Sequence, residues 1–310
     1  MSVEGKNSKA KMIKLICEKL NGELKDEACI IYCLTPAECN DTCALLVEQN
    51  IQCVCYHGSL CPDEKITNMK KWQQNIVKVI VATKSLGMGI DKSDVRGIFH
   101  VSIPSSLHEY FQQIGRAGRD GKNSQSILFY RFQDRSLHLA HIFKCETEEG
   151  RRNGLRELKA VVKFCTLSGC YKSQLLKFFG EDCYISCKSM CANCLSHKDI
   201  TEEDFTNHAC NLILILQSLI PKVTNVLFSL IAKVYKGSKE KDLLEKKFNE
   251  LPLYGSGKHL SLHAIEAMLV HLWVKNVIDE QLNKNLKSTQ LIPTGKAGEV
   301  LAGSLKLYKC

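Results

Sequence analysis

Along the first 145 residues the spacing of apolar positions switches repeatedly between two periods. Lys9 to Leu20 repeats at helical spacing, and Ala28-Cys29-Ile30-Ile31-Tyr32-Cys33 is an unbroken apolar run with the length of a buried strand. Thr35-Pro36-Ala37-Glu38 reads as a helix start, with a hydroxyl cap, proline at the first helical position and glutamate placed to close a capping box. That helix runs towards Glu48. Further strands are predicted at Gln52 to Tyr56, Val77 to Val81, Gly97 to Val101 and Ser126 to Tyr130. Helices are predicted at Pro62 to Gln74, from about Ser106 and from Gln133. Such alternation, with strands apolar on both faces, predicts a parallel α/β sheet. Ligands of these sheets sit in the loops beyond the carboxyl ends of the strands, and the chemically unusual residues are expected there.

From about Glu146 to Lys198 the pattern becomes helices with clustered cysteines. More helices are predicted at Phe205 to Leu219, Val223 to Tyr235, Lys239 to Glu250 and Leu260 to Val274. Val277 to Leu291 has no helical face and predicts a hairpin ending at Pro293-Thr294-Gly295, so the last segment reads as a winged helix. The 310 residues thus divide into three expected domains, 1–145, 146–200 and 201–310. Hydrophobic residues at 45% and charged residues at 24% suit a chain with real cores. The net charge of +9 favours an acidic partner such as nucleic acid over a neutral metabolite.

No membrane span is expected, because the longest uncharged stretch, Phe205 to Pro221, is short and interrupted by polar residues. The opening Met1-Ser2-Val3-Glu4-Gly5-Lys6 has no apolar core, so no secretory leader and a reducing compartment are expected. A disulfide framework therefore does not account for seventeen cysteines. Those between Cys29 and Cys55 lie among apolar residues and read as small core hydrophobes.

The sharpest local signal is Gln112-Gln113-Ile114-Gly115-Arg116-Ala117-Gly118-Arg119-Asp120-Gly121. Two arginines three apart would share one side of a helical turn, with small neighbours that let another surface approach. A planar, bidentate cation suits the spread charge of a phosphoryl group in transfer. All eight arginines lie between Arg96 and Arg156, and the other positive charges are lysines. The second signal is Val81-Ala82-Thr83-Lys84-Ser85-Leu86-Gly87-Met88-Gly89-Ile90-Asp91, a strand emptying into a loop with glycines two apart. There backbone amides can approach phosphates, and a carboxylate can hold a ribose or an arginine.

In this order the motifs resemble the RecQ family of DNA helicases over residues about 5–300, with a second RecA-like lobe followed by the family's C-terminal region. Ile30-Ile31-Tyr32-Cys33 with Tyr56-His57-Gly58-Ser59-Leu60 resembles helicase motifs IV and IVa, Thr83 to Asp91 motif V, and Gln112 to Gly121 motif VI. The resemblance implies an ATP- and Mg²⁺-dependent 3′-to-5′ DNA helicase, working in repair, recombination and replication in the nucleus. It casts Arg119 as arginine finger, with Arg116 and Gln112 lining the ATP cleft. Gly87, Gly89 and Asp91 would serve the nucleotide, and Thr83, Lys84 and His57 the DNA strand.

Cys170 with Cys187-x₃-Cys191-x₂-Cys194 offers four thiolates for a closed, structural tetrahedral zinc site, with Cys165 and Cys183 as rival ligands. The first ligand is expected on a helix before Leu175-Leu176-Lys177-Phe178-Phe179-Gly180-Glu181, and the pattern resembles the RecQ zinc module. From Thr206 onward 14 lysines face 8 acidic residues without an arginine, a pattern suited to sequence-independent phosphate contacts. In the family a winged helix stands here, and its hairpin helps part strands at single-strand/duplex junctions. The corresponding Gln281 to Leu286 carries no aromatic, and Lys284 and Lys287 are the candidate DNA contacts.

The sequence contains no Gly-x-x-x-x-Gly-Lys-Ser/Thr phosphate loop and no Asp-Glu-x-His run. The resemblance assigns these to a first RecA-like lobe, in cis or in trans, and the chain alone is expected to be inactive. Two competing readings are a non-catalytic zinc-containing DNA-binding protein with a helicase-like scaffold and the second lobe of a DEAD-box RNA helicase. The latter fits less well, because Gln-Gln-Ile-Gly-Arg stands where such proteins carry His-Arg-x-Gly-Arg.

Overall fold

The computed structural model describes the chain except residues 7, 88–90, 167, 182–185, 197–201, 284–287 and 310, and it resolves into two units, 1–198 and 199–310. The first unit runs β1 (Ser2–Gly5), α1 (Lys9–Asn21), β2 (Ala28–Tyr32), α2 (Pro36–Glu48), β3 (Cys53–Tyr56), α3 (Pro62–Gln73), β4 (Val79–Ala82) and β5 (Val95–His100). It continues through α4 (Leu107–Ile114), β6 (Gln125–Tyr130), a 3₁₀ turn at Phe132–Asp134, α5 (Arg135–Ile142), α6 (Glu148–Thr166), α7 (Tyr171–Phe178) and α8 (Ala192–Leu195).

The six strands form one parallel sheet in the order β1-β6-β5-β2-β4-β3. Every residue of β2 is buried, and alternation along it feeds two cores. Cys29 and Ile31 join Val79, Val81 and Phe99 under α1 and α2, which contribute Met12, Ile16, Leu20 and Leu46. Ile30 and Tyr32 join Ile80, Ala82 and Ile98 on the opposite face, where α3 inserts the fully buried Trp72. Thr35 caps α2 by accepting from the Glu38 amide, as its position predicts. The Glu38 carboxylate, however, accepts from the Leu34 amide instead of the cap residue's own.

Sequence pattern missed β1, whose Ser-Val-Glu-Gly offers a single apolar side chain. Its pairing with β6 places Lys6 in a buried polar cluster, where Nζ donates to Ser102 Oγ and Asp134 Oδ2, both at 3.0 Å. Arg131 clamps the other Asp134 oxygen from Nε and a terminal nitrogen at 2.9 and 2.7 Å.

The second unit comprises β7 (Glu203–Asp204), α9 (Thr206–Leu219), α10 (Phe228–Lys236), α11 (Lys241–Glu245), α12 (Leu262–Val274), β8 (Ile278–Asn283), β9 (Ser288–Pro293), α13 (Gly295–Leu301) and β10 (Tyr308–Lys309). Helices α9, α10 and α12 pack around Leu212, Leu216, Ile231, Tyr235, Leu269 and Trp273, and β8 pairs antiparallel with β9 as the expected wing. Helix α10 begins five residues later than predicted, because the Val226 carbonyl is taken by the Leu291 amide of β9. The predicted helix from Lys239 to Glu250 breaks at Lys247, which is left-handed at φ 55°. That break lets Leu243, Phe248 and Leu251, spaced off a single helical stripe, all reach the interior. The hairpin tip with Lys284 and Lys287 lies outside the described residues. Among the described residues no helix is long and apolar enough to cross a membrane.

Candidate functional site

Helix α4 starts on the Ser106 cap, which accepts from the Glu109 amide, and ends at Ile114. Arg116 and Arg119 therefore lie in the turn beyond the helix and not on a helical face. Nor do they lie beyond the carboxyl ends of the strands. A helix that crosses back over a parallel sheet ends near the amino ends of the strands, and the Gly118 amide is bonded to the carbonyl of Val95, the first residue of β5. The loop after β4 also meets this turn at Gly87. Gly87 on it accepts from the Arg116 guanidinium at 2.6 Å, which joins the two predicted motifs directly.

The turn is held from several sides. Arg96 pairs with Asp120, and Asp120 also accepts from the Lys122 amide. Gly118 is left-handed at φ 65°, and a Cβ there would stand 2.8 Å from the Lys122 carbonyl oxygen and from Ser124 Oγ. Glycine is thus required by conformation and by space. The Arg119 guanidinium is exposed, with Nε at 3.4 Å from the Gly115 carbonyl and a terminal nitrogen at 3.7 Å from Asp91. Asp91 is almost fully exposed, so this pair adds little stability. Arg116 has no carboxylate partner among the described residues, and its Nε is buried without a hydrogen bond. Gly89 lies outside the described residues.

Sequence reading chose Gln112, which is exposed at the edge of α4. Its buried neighbour Gln113 is the brace: it donates to Glu109 at 3.0 Å and takes a bond from His100 Nε2 at 2.8 Å. His100 stacks on Tyr32 with centroids 5.3 Å apart and meets the edge of Tyr110. Burial raises Tyr32 to about 12 against the opposing pull of Arg116, so the phenol stays neutral beside the guanidinium. Burial lowers His100 to about 4, only partly offset by Gln113, so the ring stays neutral with its proton on Nε2. Its folded pKa lies below the ordinary 6.5, so the unfolded chain binds more protons as pH falls from about 6.5 to 4. Stability should therefore fall with acid, by up to about 3 kcal/mol at pH 4. Denaturant titrations at pH 7, 6 and 5 check this: His100→Gln should flatten the slope, and an unchanged slope would contradict it.

Other predicted contacts divide. Lys84 is exposed, whereas Thr83 is buried with Oγ1 2.9 Å from Ser85 Oγ. His57 is only 3% exposed and bonds Asn40 of α2 at 2.9 Å, so its ring braces the loop after β3 and is not presented to a strand.

The four predicted zinc ligands do converge. The sulfurs of Cys170, Cys187, Cys191 and Cys194 all lie within 4.8 Å of one another, and those of Cys170 and Cys191 are 4.0 Å apart. Zinc–sulfur bonds of about 2.3 Å in a tetrahedron need sulfurs about 3.8 Å apart, so the cluster fits zinc and offers no open position. Cys170 caps α7 instead of lying within it, and its sulfur accepts from the amides of Ser173 and Cys187 at 3.5 and 3.4 Å. Burial opposes its ionisation, yet these amides and the neighbouring thiols bring it down to about 7, while burial and the same thiol contacts push Cys187 and Cys194 up. Of the rival ligands, Cys165 is buried in α6 with its thiol pushed up by burial, and Cys183 lies outside the described residues.

A RecA-like parallel lobe with an arginine turn on a glycine loop, then a four-thiol zinc module and a winged helix, defines the C-terminal part of a helicase motor. Family models agree: helicase conserved C-terminal domain matches residues 10–121, RecQ zinc-binding residues 132–195 and RQC domain residues 199–309. The chain belongs to the RecQ family and corresponds to the C-terminal region of its members. It is similar to the ATP-dependent helicase SGS1 of Saccharomyces cerevisiae, 30% identical over 94% of this chain and 21% of that protein. The ATP-dependent DNA helicase hus2/rqh1 of Schizosaccharomyces pombe is 33% identical over 93% of this chain and 22% of its own length. The ATP-dependent DNA helicase RecQ of Bacillus subtilis is 32% identical over 92% and 47%. The chain thus spans from about a fifth to under half of these relatives.

Proposed function

We propose that this chain is the second motor lobe, zinc module and DNA-gripping domain of an ATP-dependent 3′-to-5′ DNA helicase acting in the nucleus. ATP and Mg²⁺ are carried by a Walker-type lobe in cis or in trans, and Arg119 and Arg116 close on the nucleotide from this side. The observation that carries the proposal is the arginine turn: Arg116 ties it to the motif V loop while Arg119 stays exposed. A phosphoryl group in transfer spreads charge over its oxygens, and a positioned guanidinium stabilises that charge more than it stabilises bound ATP. Bonded through Gly87, the same turn can pass movement on to the loop that carries Lys84. Joined to a Walker lobe of the family, the chain should separate a duplex with a 3′ single-stranded tail only when ATP and Mg²⁺ are supplied. Separation without ATP, or none under any condition, would refute the proposal.

DNA contacts on this reading are electrostatic and sequence-independent, with junctions between single strand and duplex as the working substrate. Lys84, Lys284 and Lys287 supply phosphate contacts, while Thr83 and His57 shape their loops from within. Lys84→Ala should lower the slope of log affinity against log salt by about 0.9 and weaken all sequences alike. Fluorescence anisotropy across 50–200 mM salt checks this, and an unchanged slope would remove Lys84 from the contact set.

A further inference from the structure

The cysteines read as core hydrophobes are not all alike. Cys29, Cys33 and Cys39 are buried, at 0%, 6% and 0% exposure, whereas Cys43 and Cys53 are half-buried. Cys43 of α2 and Cys53 of β3 bring their sulfurs to 2.9 Å, roughly 0.9 Å from the length of a disulfide bond. An open cavity of about 600 Å³ is lined by Cys53 with Asn50, Gln52, Val54, Lys71 and Val77. It brings open space up to half-buried Cys53, and the Lys71 ammonium on its wall favours an anionic occupant.

We propose that Cys43 and Cys53 are a reversible redox pair, oxidised by a small anionic disulfide that enters through this cavity. The Cys53 thiolate attacks one sulfur of the reagent, forming a mixed disulfide and releasing one thiolate. The Cys43 thiolate then attacks the Cys53 sulfur, forming the Cys43–Cys53 bond and releasing the second thiolate. The cysteines lose two electrons, the reagent gains two, and the two cysteine protons pass to the released thiols. The new bond closes residues 44–52 into a loop and ties α2 to the edge strand β3. Because Asn40 of α2 already holds His57, oxidation clamps the element that presents the loop after β3.

The test exposes the zinc-loaded 310-residue chain to oxidised glutathione and maps disulfides in a non-reducing digest, with zinc content measured in the same sample. Expected are a Cys43–Cys53 cross-linked peptide, its loss on reduction, unchanged zinc, and an unfolding midpoint raised by several degrees. In Cys43→Ser a glutathione adduct should accumulate on Cys53, and in Cys53→Ser the adduct on Cys43 should form at least tenfold more slowly. No Cys43–Cys53 peptide, or disulfides confined to the Cys170 cluster with zinc loss, would overturn the pair. Equal adduct rates in the two variants would overturn Cys53 as the entry thiol. If a serine variant fails to fold, the digest of the unaltered chain still decides whether the pair forms.

Discussion

Arg119→Ala, in a motor completed by a Walker lobe, is expected to lower DNA-stimulated ATP turnover by about 10³–10⁵-fold while ATP binding changes less than tenfold. The split follows from geometry. Arg119 is exposed and reaches the Gly115 carbonyl and an exposed carboxylate, so its removal takes away charge that matters in the transition state. Arg119→Lys should recover little, because a point charge on a flexible stem does not reproduce a planar fork. Arg116→Ala should behave differently: the bond to Gly87 goes, the motif V loop loosens, and DNA stimulation is lost together with turnover. Steady-state kinetics with and without single-stranded DNA separates the two. A loss below tenfold for Arg119→Ala would show that it is not the cation facing the phosphoryl group.

The second large effect belongs to zinc. Cys191 is 1% exposed, with its sulfur 4.0 Å from that of Cys170, and Cys191→Ser should reduce zinc from one per chain to a small fraction. Structural zinc contributes about 10–16 kcal/mol in small zinc-bound modules, so helices α7 and α8 should lose their fixed structure with the metal. The damage should reach α6, because Tyr171 packs on Phe164 at 5.2 Å and Phe164 on Tyr110 at 5.5 Å. Beyond Tyr110 the parallel sheet has its own core and should hold. Hydrogen exchange with metal analysis checks both halves of this expectation. Cys165→Ser, in a buried thiol outside the cluster, should keep its zinc, and full zinc in Cys191→Ser would refute the ligand set.

How much of this was legible in the sequence follows from how local each signal is. The buried strands β2, β4, β5 and β6 announce themselves as apolar runs, and the caps Thr35 and Ser106 stand at the positions their side chains require. The zinc ligands were readable because four thiols at that spacing have few other uses. The edge strand β1 was not, since its pairing with β6 is made by backbone and its side chains carry no pattern. The position of the arginine turn was misjudged for a topological reason: it follows a helix that crosses back along the sheet, not a strand. Gln113, His100 and Tyr32 were missed as a brace because they come from α4, β5 and β2, and only the fold brings them together. The bond from His57 to Asn40 was not legible because Asn40 lies on a helix 17 residues earlier.

The most direct test of the motor reading measures how tightly the chain binds a separately prepared Walker lobe in two nucleotide states, ADP alone and ADP with aluminium fluoride as a mimic of the phosphoryl group in transfer. Cations that meet the nucleotide across a gap should make the second complex at least about a hundredfold tighter. Arg119→Ala should abolish the difference while leaving the ADP complex unchanged. Equal affinity in the two states for the unaltered chain would contradict the account.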